Sequence, residues 1–297
     1  MSKRRVLILD AFTDTPFFGN PCGVVPDAEG LTDDEMQKIA RELNLPETSF
    51  VLGSDKADFR VRYFTPRYEL GFAGHPTIAT SYMLALEGMT SLAKPVNTIQ
   101  LEFKIGVLPV DLLADNGKPV AAVMTQSSPE YGDTVEPEEL AECFKGLTAA
   151  DFADGVKPQV VGTGSKFLIA SLKDLEKLAV LEMNREKLCE VVDRVGVNAA
   201  YVFTNYGYDP KTGMHGRLRD PRGTFEDPFT GAAVGAAGAY MVRYGLTDRE
   251  EIAVEQGNFV GRPGHGTLYI HQEQGTITSV KLGGCAVKVS DGYMLLD

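Results

Sequence analysis

Apolar positions along this chain fall into short runs cut by glycine, proline and charged clusters, and two stretches rich in small apolar residues are markedly longer. Residues 6–12 form a nearly continuous apolar run and predict an opening strand buried on both faces. A turn with glycine at each end, Gly19 and Gly23, leads to a second strand through Val24 and Val25. Thr32-Asp33-Asp34-Glu35 has the spacing of a capping box, which predicts a helix over residues 33–43, stopped by Asn44-Leu45-Pro46. Strands follow at 48–52 and 59–65, the latter alternating cleanly through Phe59, Val61 and Tyr63. A helix from His75 to near Gly88 and strands at 99–103 and 107–112 complete a first half. Asp115-Asn116-Gly117-Lys118-Pro119 has the composition of a boundary turn. The second half predicts strands at 120–124, 166–171, 200–204 and 214–219, with helices at 137–144, 184–195 and from Gly231. A tail of strands near 266–271, 279–282 and 294–296 follows.

The two long stretches begin alike. Phe64-Thr65-Pro66-Arg67 precedes Gly74-His75-Pro76, and Arg219-Asp220-Pro221-Arg222 precedes Thr230-Gly231-Ala232 about 155 residues later. Proline is favoured just inside a helix because its missing N–H would be unpaired there. The N–H groups that remain, with the positive end of the helix dipole, converge on one spot and suit an anion. Two such starts imply two similar lobes, expected as residues 1–116 and 117–285, with residues 286–297 packing back on the first.

Composition narrows the function. A chain of 297 residues that is 43% hydrophobic can build two domains with real cores. Its net charge of −12 argues against a nucleic-acid partner, since phosphate backbones need a basic face. An anionic substrate would have to be held by local dipoles and one or two cations, against the overall field. Cys22, Cys143, Cys189 and Cys285 are far apart, without a CxxC, and match neither a disulfide framework nor a zinc site. His75, His215, His265 and His271 show no metal-ligand spacing, so no metal is expected. The apolar run after Lys3-Arg4-Arg5 is broken by Asp10 and is too short for a signal-peptide core. No 18-residue apolar stretch predicts a membrane span, and a cytoplasmic home is expected.

Three residues carry candidate chemistry. Glu47 falls between a stopped helix and an apolar strand, where it is either an exposed turn residue or a carboxylate turned into a cleft. In a cleft, partial desolvation favours proton transfer near neutral pH. His75 at a helix start could be an acid, a donor to substrate or a polar cap, and the dipole there disfavours the imidazolium. Asp227 could accept from a substrate or simply form the turn before Pro228. Gly162-Thr163-Gly164-Ser165-Lys166 lacks phosphate-loop spacing and reads as a turn.

The motifs together resemble those of the phenazine-biosynthesis isomerase (PhzF-like) family, within the diaminopimelate epimerase fold. The matching pieces are Asp10-Ala11-Phe12-Thr13, Phe18-Gly19-Asn20-Pro21, residues 43–51 around Pro46-Glu47-Thr48, Tyr63-Phe64-Thr65-Pro66, Ala73-Gly74-His75-Pro76, Glu226-Asp227-Pro228-Phe229-Thr230-Gly231, Glu255-Gln256-Gly257 and Gly261-Arg262-Pro263. They span nearly the whole chain. The resemblance implies an α+β fold of two similar lobes, each a curved antiparallel or mixed sheet around a central helix, with the site between them. It implies a cofactor-independent isomerase, expected as a homodimer, that moves a proton between carbons of a small cyclic or unsaturated carboxylate. Glu47 would be the acid/base, with His75 and Asp227 in the catalytic set. Asn20, Gly74, Thr230, Gly231 and Ala232 would bind substrate, the two glycine helix starts holding its carboxylate. Ala232 stands where the family usually has serine, so a hydroxyl donor is lost and the substrate can differ from the dihydro-hydroxyanthranilate of phenazine synthesis.

Two alternatives remain. Amino-acid epimerases and racemases of this fold use a cysteine at the start of each central helix, and the corresponding positions here are Ala73 and Thr230. Neither can act as an acid or base near neutral pH. A small-molecule-binding protein without catalysis is the other, because fold alone does not fix function.

Overall fold

The computed structural model of the protein describes residues 3–296. The chain divides into two compact units. The first comprises residues up to Thr125 together with those from Gly283 onward, and the second runs from Gln126 to Leu282.

The first unit contains β1 (Lys3–Ala11), β2 (Asn20–Val25), α1 (Asp33–Leu43), β3 (Glu47–Leu52), β4 (Phe59–Phe64), β5 (Glu69–Leu70), α2 (Gly74–Leu86), β6 (Val96–Phe103), β7 (Gly106–Asp115) and β8 (Lys118–Thr125). The capping box forms as the spacing predicts. Thr32 Oγ1 accepts from the Glu35 N–H, and Glu35 accepts from the Thr32 N–H at 2.7 Å. Met36, Ile39 and Ala40 of α1 meet Val6, Val25, Phe50 and Phe64 in one apolar cluster. The residues of the Asp115–Lys118 turn join β7 to β8 as a hairpin, so the first unit extends to Thr125. Its last strand, Ala286–Leu295, pairs antiparallel with β1.

The second unit contains β9 (Glu130–Thr134), α3 (Pro137–Ala141), β10 (Gln159–Gly162), β11 (Lys166–Leu172), α4 (Leu175–Ala179), α5 (Arg185–Arg194), β12 (Ala200–Thr204), β13 (Thr212–Arg219), α6 (Gly231–Arg243), β14 (Glu251–Gln256), β15 (Gly264–Glu273) and β16 (Thr276–Gly284). Helices α3, α4 and α5 pack on the outer face of its sheet through Leu140, Leu178, Leu188 and Val192.

The two units share one pattern of strand pairing. In the first, β1–β2 is antiparallel, β2–β3 parallel, β3–β4 antiparallel, β4–β6 parallel and β6–β7 antiparallel. In the second, β10–β11 is antiparallel, β11–β12 parallel, β12–β13 antiparallel, β13–β14 parallel and β14–β15 antiparallel. In both, the second parallel pair is bridged by a 13-residue helix, α2 or α6, with ten of its residues buried. A helix apolar on nearly every face has to be wrapped by its sheet. The second unit makes room with small residues: a Cβ on Gly238 of α6 would lie 2.3 Å from Leu268 and 2.7 Å from Ile270 on β15.

That close approach yields a prediction. Gly238→Val recovers part of the roughly 1 kcal/mol that glycine costs a helix interior, but overpacks a filled interface at about 1–3 kcal/mol. The variant should lose stability in urea denaturation. An unchanged midpoint would show that the helix and β15 are not packed as described.

Candidate functional site

In the first unit, three of the expected site residues come together from three elements. Asn20 opens β2, Glu47 opens β3 and His75 lies in the first turn of α2. The parallel register of β2 and β3 sets Cys22 opposite Glu47. His75 is 7% exposed, and its Nδ1 lies 3.3 Å from Asn20 Nδ2. Its Nε2 lies 3.3 Å from Glu47 Oε2, and the Glu47 side chain is 19% exposed. Glu47 is thus not the exposed turn residue that its position alone allowed.

Burial pushes His75 down to about 3, outweighing a hydrogen bond to the Pro21 backbone that acts the other way. The contact with Glu47 is therefore one between a neutral ring and a carboxyl group, not an ion pair. Cys22 is fully buried beside this group, with Sγ 3.5 Å from Ser49 Oγ. Burial raises its thiol to about 12, so no thiolate forms at neutral pH.

Gly74 starts α2 behind the N-cap Ala73, which supplies no side-chain cap. The first intrahelical bond is Thr77 N–H to Ala73 O, so the N–H groups of Gly74 and His75 have no acceptor within the helix. No acidic residue occupies this first turn. Tyr63 and Thr77 brace the start from behind, with Tyr63 Oη 2.9 Å from Thr77 Oγ1, which donates to Ala73 O at 2.6 Å.

In the second unit, Asp227, Thr230, Gly231 and Ala232 lie together where the loop enters α6. Thr230 Oγ1 donates to Asp227 Oδ2 at 2.6 Å. Gln256, fully buried at the end of β14, accepts from the Thr230 N–H at 3.0 Å and donates to Asp227 O at 2.9 Å. The motif Glu255-Gln256-Gly257 by itself assigns Gln256 no role; its full burial beside a helix start marks it as holding that start in place. The N-cap Thr230 gives no side-chain cap to α6, and the first intrahelical bond is Val234 N–H to Thr230 O. The N–H groups of Gly231, Ala232 and Ala233 thus have no acceptor within the helix. The expected residues therefore form two groups: Asn20, Glu47, His75 and Gly74 on one unit, Asp227, Thr230, Gly231 and Ala232 on the other. Among the described residues, no group of three or more His, Cys, Asp or Glu is placed to hold a metal ion.

The model of the phenazine biosynthesis-like protein family matches residues 9–292. The chain belongs to this family. It is an isomerase, as its named relatives are. An uncharacterised isomerase of Clostridium acetobutylicum is 34% identical over 99% of both chains. The trans-2,3-dihydro-3-hydroxyanthranilate isomerase of Pseudomonas aeruginosa is 30% identical over 98% of this chain and 99% of its own. The crystal structure of a Bacillus anthracis phenazine biosynthesis protein of the PhzF family superposes with a TM-score of 0.89, at 34% identity and full coverage of both chains. The α+β, two-lobed fold expected from the motifs is the fold found. Among the described residues, no helix is long and apolar enough to cross a membrane.

Two predictions follow from burial at the first-unit group. His75 binds a proton near 6.5 when unfolded and near 3 when folded, so the unfolded state takes it up more readily. Stability from the neutral buried ring is complete above about pH 6.5 and declines as pH falls from there toward 3. Urea midpoints of the wild type should drop between pH 7.5 and 5, and His75→Gln should flatten that drop. An equal drop in both proteins would place the acid sensitivity elsewhere. Iodoacetamide at pH 8 should leave Cys22 unmodified in the native protein, whereas rapid labelling mapped to Cys22 would mean that the thiol is neither buried nor neutral.

Proposed function

We propose that the protein is a cofactor-independent isomerase acting on a small cyclic or unsaturated carboxylate, with Glu47 as its acid/base. The observation that supports this best is the Glu47 carboxyl group, largely withdrawn from water and 3.3 Å from a buried, neutral His75. A carboxylate there can take a proton from a carbon whose C–H bond is acidified by conjugation. The electron pair of that bond moves into the adjacent π system as the double bond shifts. The protonated Glu47 then delivers the proton to the carbon at the far end, and both atoms and charge balance. One group serves both steps if the two carbons lie on one face of the substrate.

His75 fits a supporting role. A ring that stays neutral has one N–H, which the Pro21 carbonyl or, in the other tautomer, Glu47 or a substrate oxygen can accept, and it does not compete for the proton. The helix starts at Gly74 and Gly231 are read as seats for anionic groups of the substrate, because each presents backbone N–H groups without side-chain caps. Asp227 is assigned to substrate contact, its position set by Thr230 and Gln256. Ala232 offers a backbone N–H but no hydroxyl, so a substrate oxygen that a serine would hold finds one donor fewer. That loss favours a substrate distinct from the one named for the Pseudomonas relative.

A two-base epimerase is the less supported reading. Ala73 has no ionisable group, and the Thr230 hydroxyl is committed to Asp227. Residence in the cytoplasm is supported by four cysteines that are all free. Assembly as a homodimer rests on the family alone, and a monomer by light scattering would remove it.

Glu47→Gln tests the central assignment. Glutamine keeps the shape but cannot ferry a proton, so turnover should fall by about 10² or more while ligand binding stays within about tenfold. In D₂O the wild type should place deuterium in the product wherever the carboxyl proton exchanges before delivery. His75→Ala and Asp227→Ala should weaken binding as well as rate. A Glu47→Gln variant that turns over at the wild-type rate would end the assignment.

A further inference from the structure

The duplication exposes a difference between the units that the proposed activity does not use. In the first, Arg62 is two residues before Phe64 on β4; in the second, Arg217 is two residues before Arg219 on β13. Alternation along a strand puts each pair on one face. Arg62 reaches two carboxylates: its Nε donates to Glu69 at 2.8 Å, which Lys104 also approaches at 3.7 Å, and its Nη1 donates to Asp33 at 2.6 Å. Phe64 beside it is apolar, buried and packed edge-on against Phe50.

The second unit reverses this balance. Arg217 and Arg219 share a single carboxylate, Glu226. Arg217 is saturated: Nε and Nη2 donate to Glu226 at 2.9 and 2.7 Å, and Nη1 donates to the carbonyls of Leu178 and Ala179. Arg219 stands where the first unit has Phe64. It uses Nη1 on Glu226, while its Nε is buried without an acceptor among the described residues. A buried N–H of this kind is costly unless something accepts from it. Burial lowers the Arg219 guanidinium below its ordinary value, with Arg217 and Arg185 adding to the effect against Glu226.

Arg219, though not through its inaccessible Nε, lines a cavity of about 180 Å³ together with Arg185, Asp220, Gly223, Thr224 and Glu226. A water occupies roughly 30 Å³ of liquid, so the space accommodates a group of several heavy atoms. Arg185 donates through Nη1 to the carbonyls of Pro221 and Gly223, which fixes the rim. The charged residues of the lining are two guanidiniums, Arg185 and Arg219, and two carboxylates, Glu226 and Asp220; Arg217, outside the lining, shares Glu226. Asp220 opposes an anion on its own side, but its Oδ1 is engaged by the Arg222 N–H. The lining alone is balanced, and it is Arg217, drawing on Glu226 from outside it, that tips the group positive in a protein whose net charge is −12.

We propose that this cavity binds a small oxyanion, a carboxylate or phosphate group, with Arg219 as its principal donor and Arg185 as its second. The loop that forms the rim runs on through Glu226 into Asp227, so an occupant would also fix the segment that carries Asp227.

Calorimetric titration of the intact protein with inorganic phosphate, and in parallel with malonate, tests the proposal. Saturable binding of at least one is expected, and the tighter of the two identifies the source chemistry. Arg219→Phe restores the residue of the matching position in the first unit and should weaken binding by about tenfold or more, the scale of one lost charge-assisted hydrogen bond. Its thermal midpoint without added anion should equal or exceed that of the wild type, which separates lost binding from lost folding. Arg185→Ala should also weaken binding, both by removing a donor and by releasing the Pro221 and Gly223 carbonyls of the rim. Absence of saturable binding by either anion would overturn the proposal, and so would unchanged affinity in Arg219→Phe. Neither result bears on Glu47, because no turnover is measured.

Discussion

A helix that is apolar on nearly all its faces cannot lie on a surface. In each unit a 13-residue helix of this kind is enclosed by strands, and much else follows from that enclosure. The strands must curve, and parallel and antiparallel pairings alternate so that the chain can cross over the helix and return. Enclosure also fixes where each helix can begin. Neither start carries a side-chain cap, Ala73 having no polar group and Thr230 giving its hydroxyl to Asp227, so the first-turn N–H groups have no acceptor within the helix. Such a start suits an anion. What each unit adds to it is local: Glu47 and Asn20 around His75 in one, Asp227 held by Thr230 and Gln256 in the other.

The same burial decides the chemistry of the first-unit group. The carboxyl of Glu47, alone, would favour an imidazolium at 3.3 Å. His75 is withdrawn from water so fully that desolvation wins and the ring stays neutral. Desolvation likewise disables Cys22, the one thiol beside Glu47. Burial thus withdraws both the thiol and the ring from acid–base work near neutral pH, which is why Glu47 is the group proposed to carry the proton.

Much of the fold is legible in the sequence where a local device sets it. The capping box places α1 at residues 33–43, the bounds observed, because both of its hydrogen bonds are made within four residues. The helix starts at Gly74 and Gly231 are legible from glycine, proline and the small apolar runs that follow. Apart from the short, locally capped α4, the elements missed include two that distant partners hold. β9 (EYGDT) is polar and mostly exposed, and it is a strand because β10 pairs with it. β14 (EIAVEQ) carries charge at its first and fifth positions, and its parallel pairing with β13 decides it. The grouping of Asn20 with His75, 55 residues apart, was out of reach of spacing alone and came only from motif resemblance. The role of Gln256 was missed for the same reason, since its partners Asp227 and Thr230 are 29 and 26 residues away.

The absence of thiols at the two helix starts separates this chain from two-base epimerases in physical terms. A thiol there would gain from the dipole and the free N–H groups, both of which favour a thiolate. Ala73 and Thr230 gain nothing of that kind. The Thr230 hydroxyl instead donates to Asp227 and lies 3.2 Å from Gln256 Nε2, so it works as a strut. The anion-favouring potential of each start is then free to act on a ligand in place of a side chain. With no thiol at either start and Glu47 beside a neutral ring, the proposed one-proton chemistry needs no group at the helix starts beyond their N–H donors.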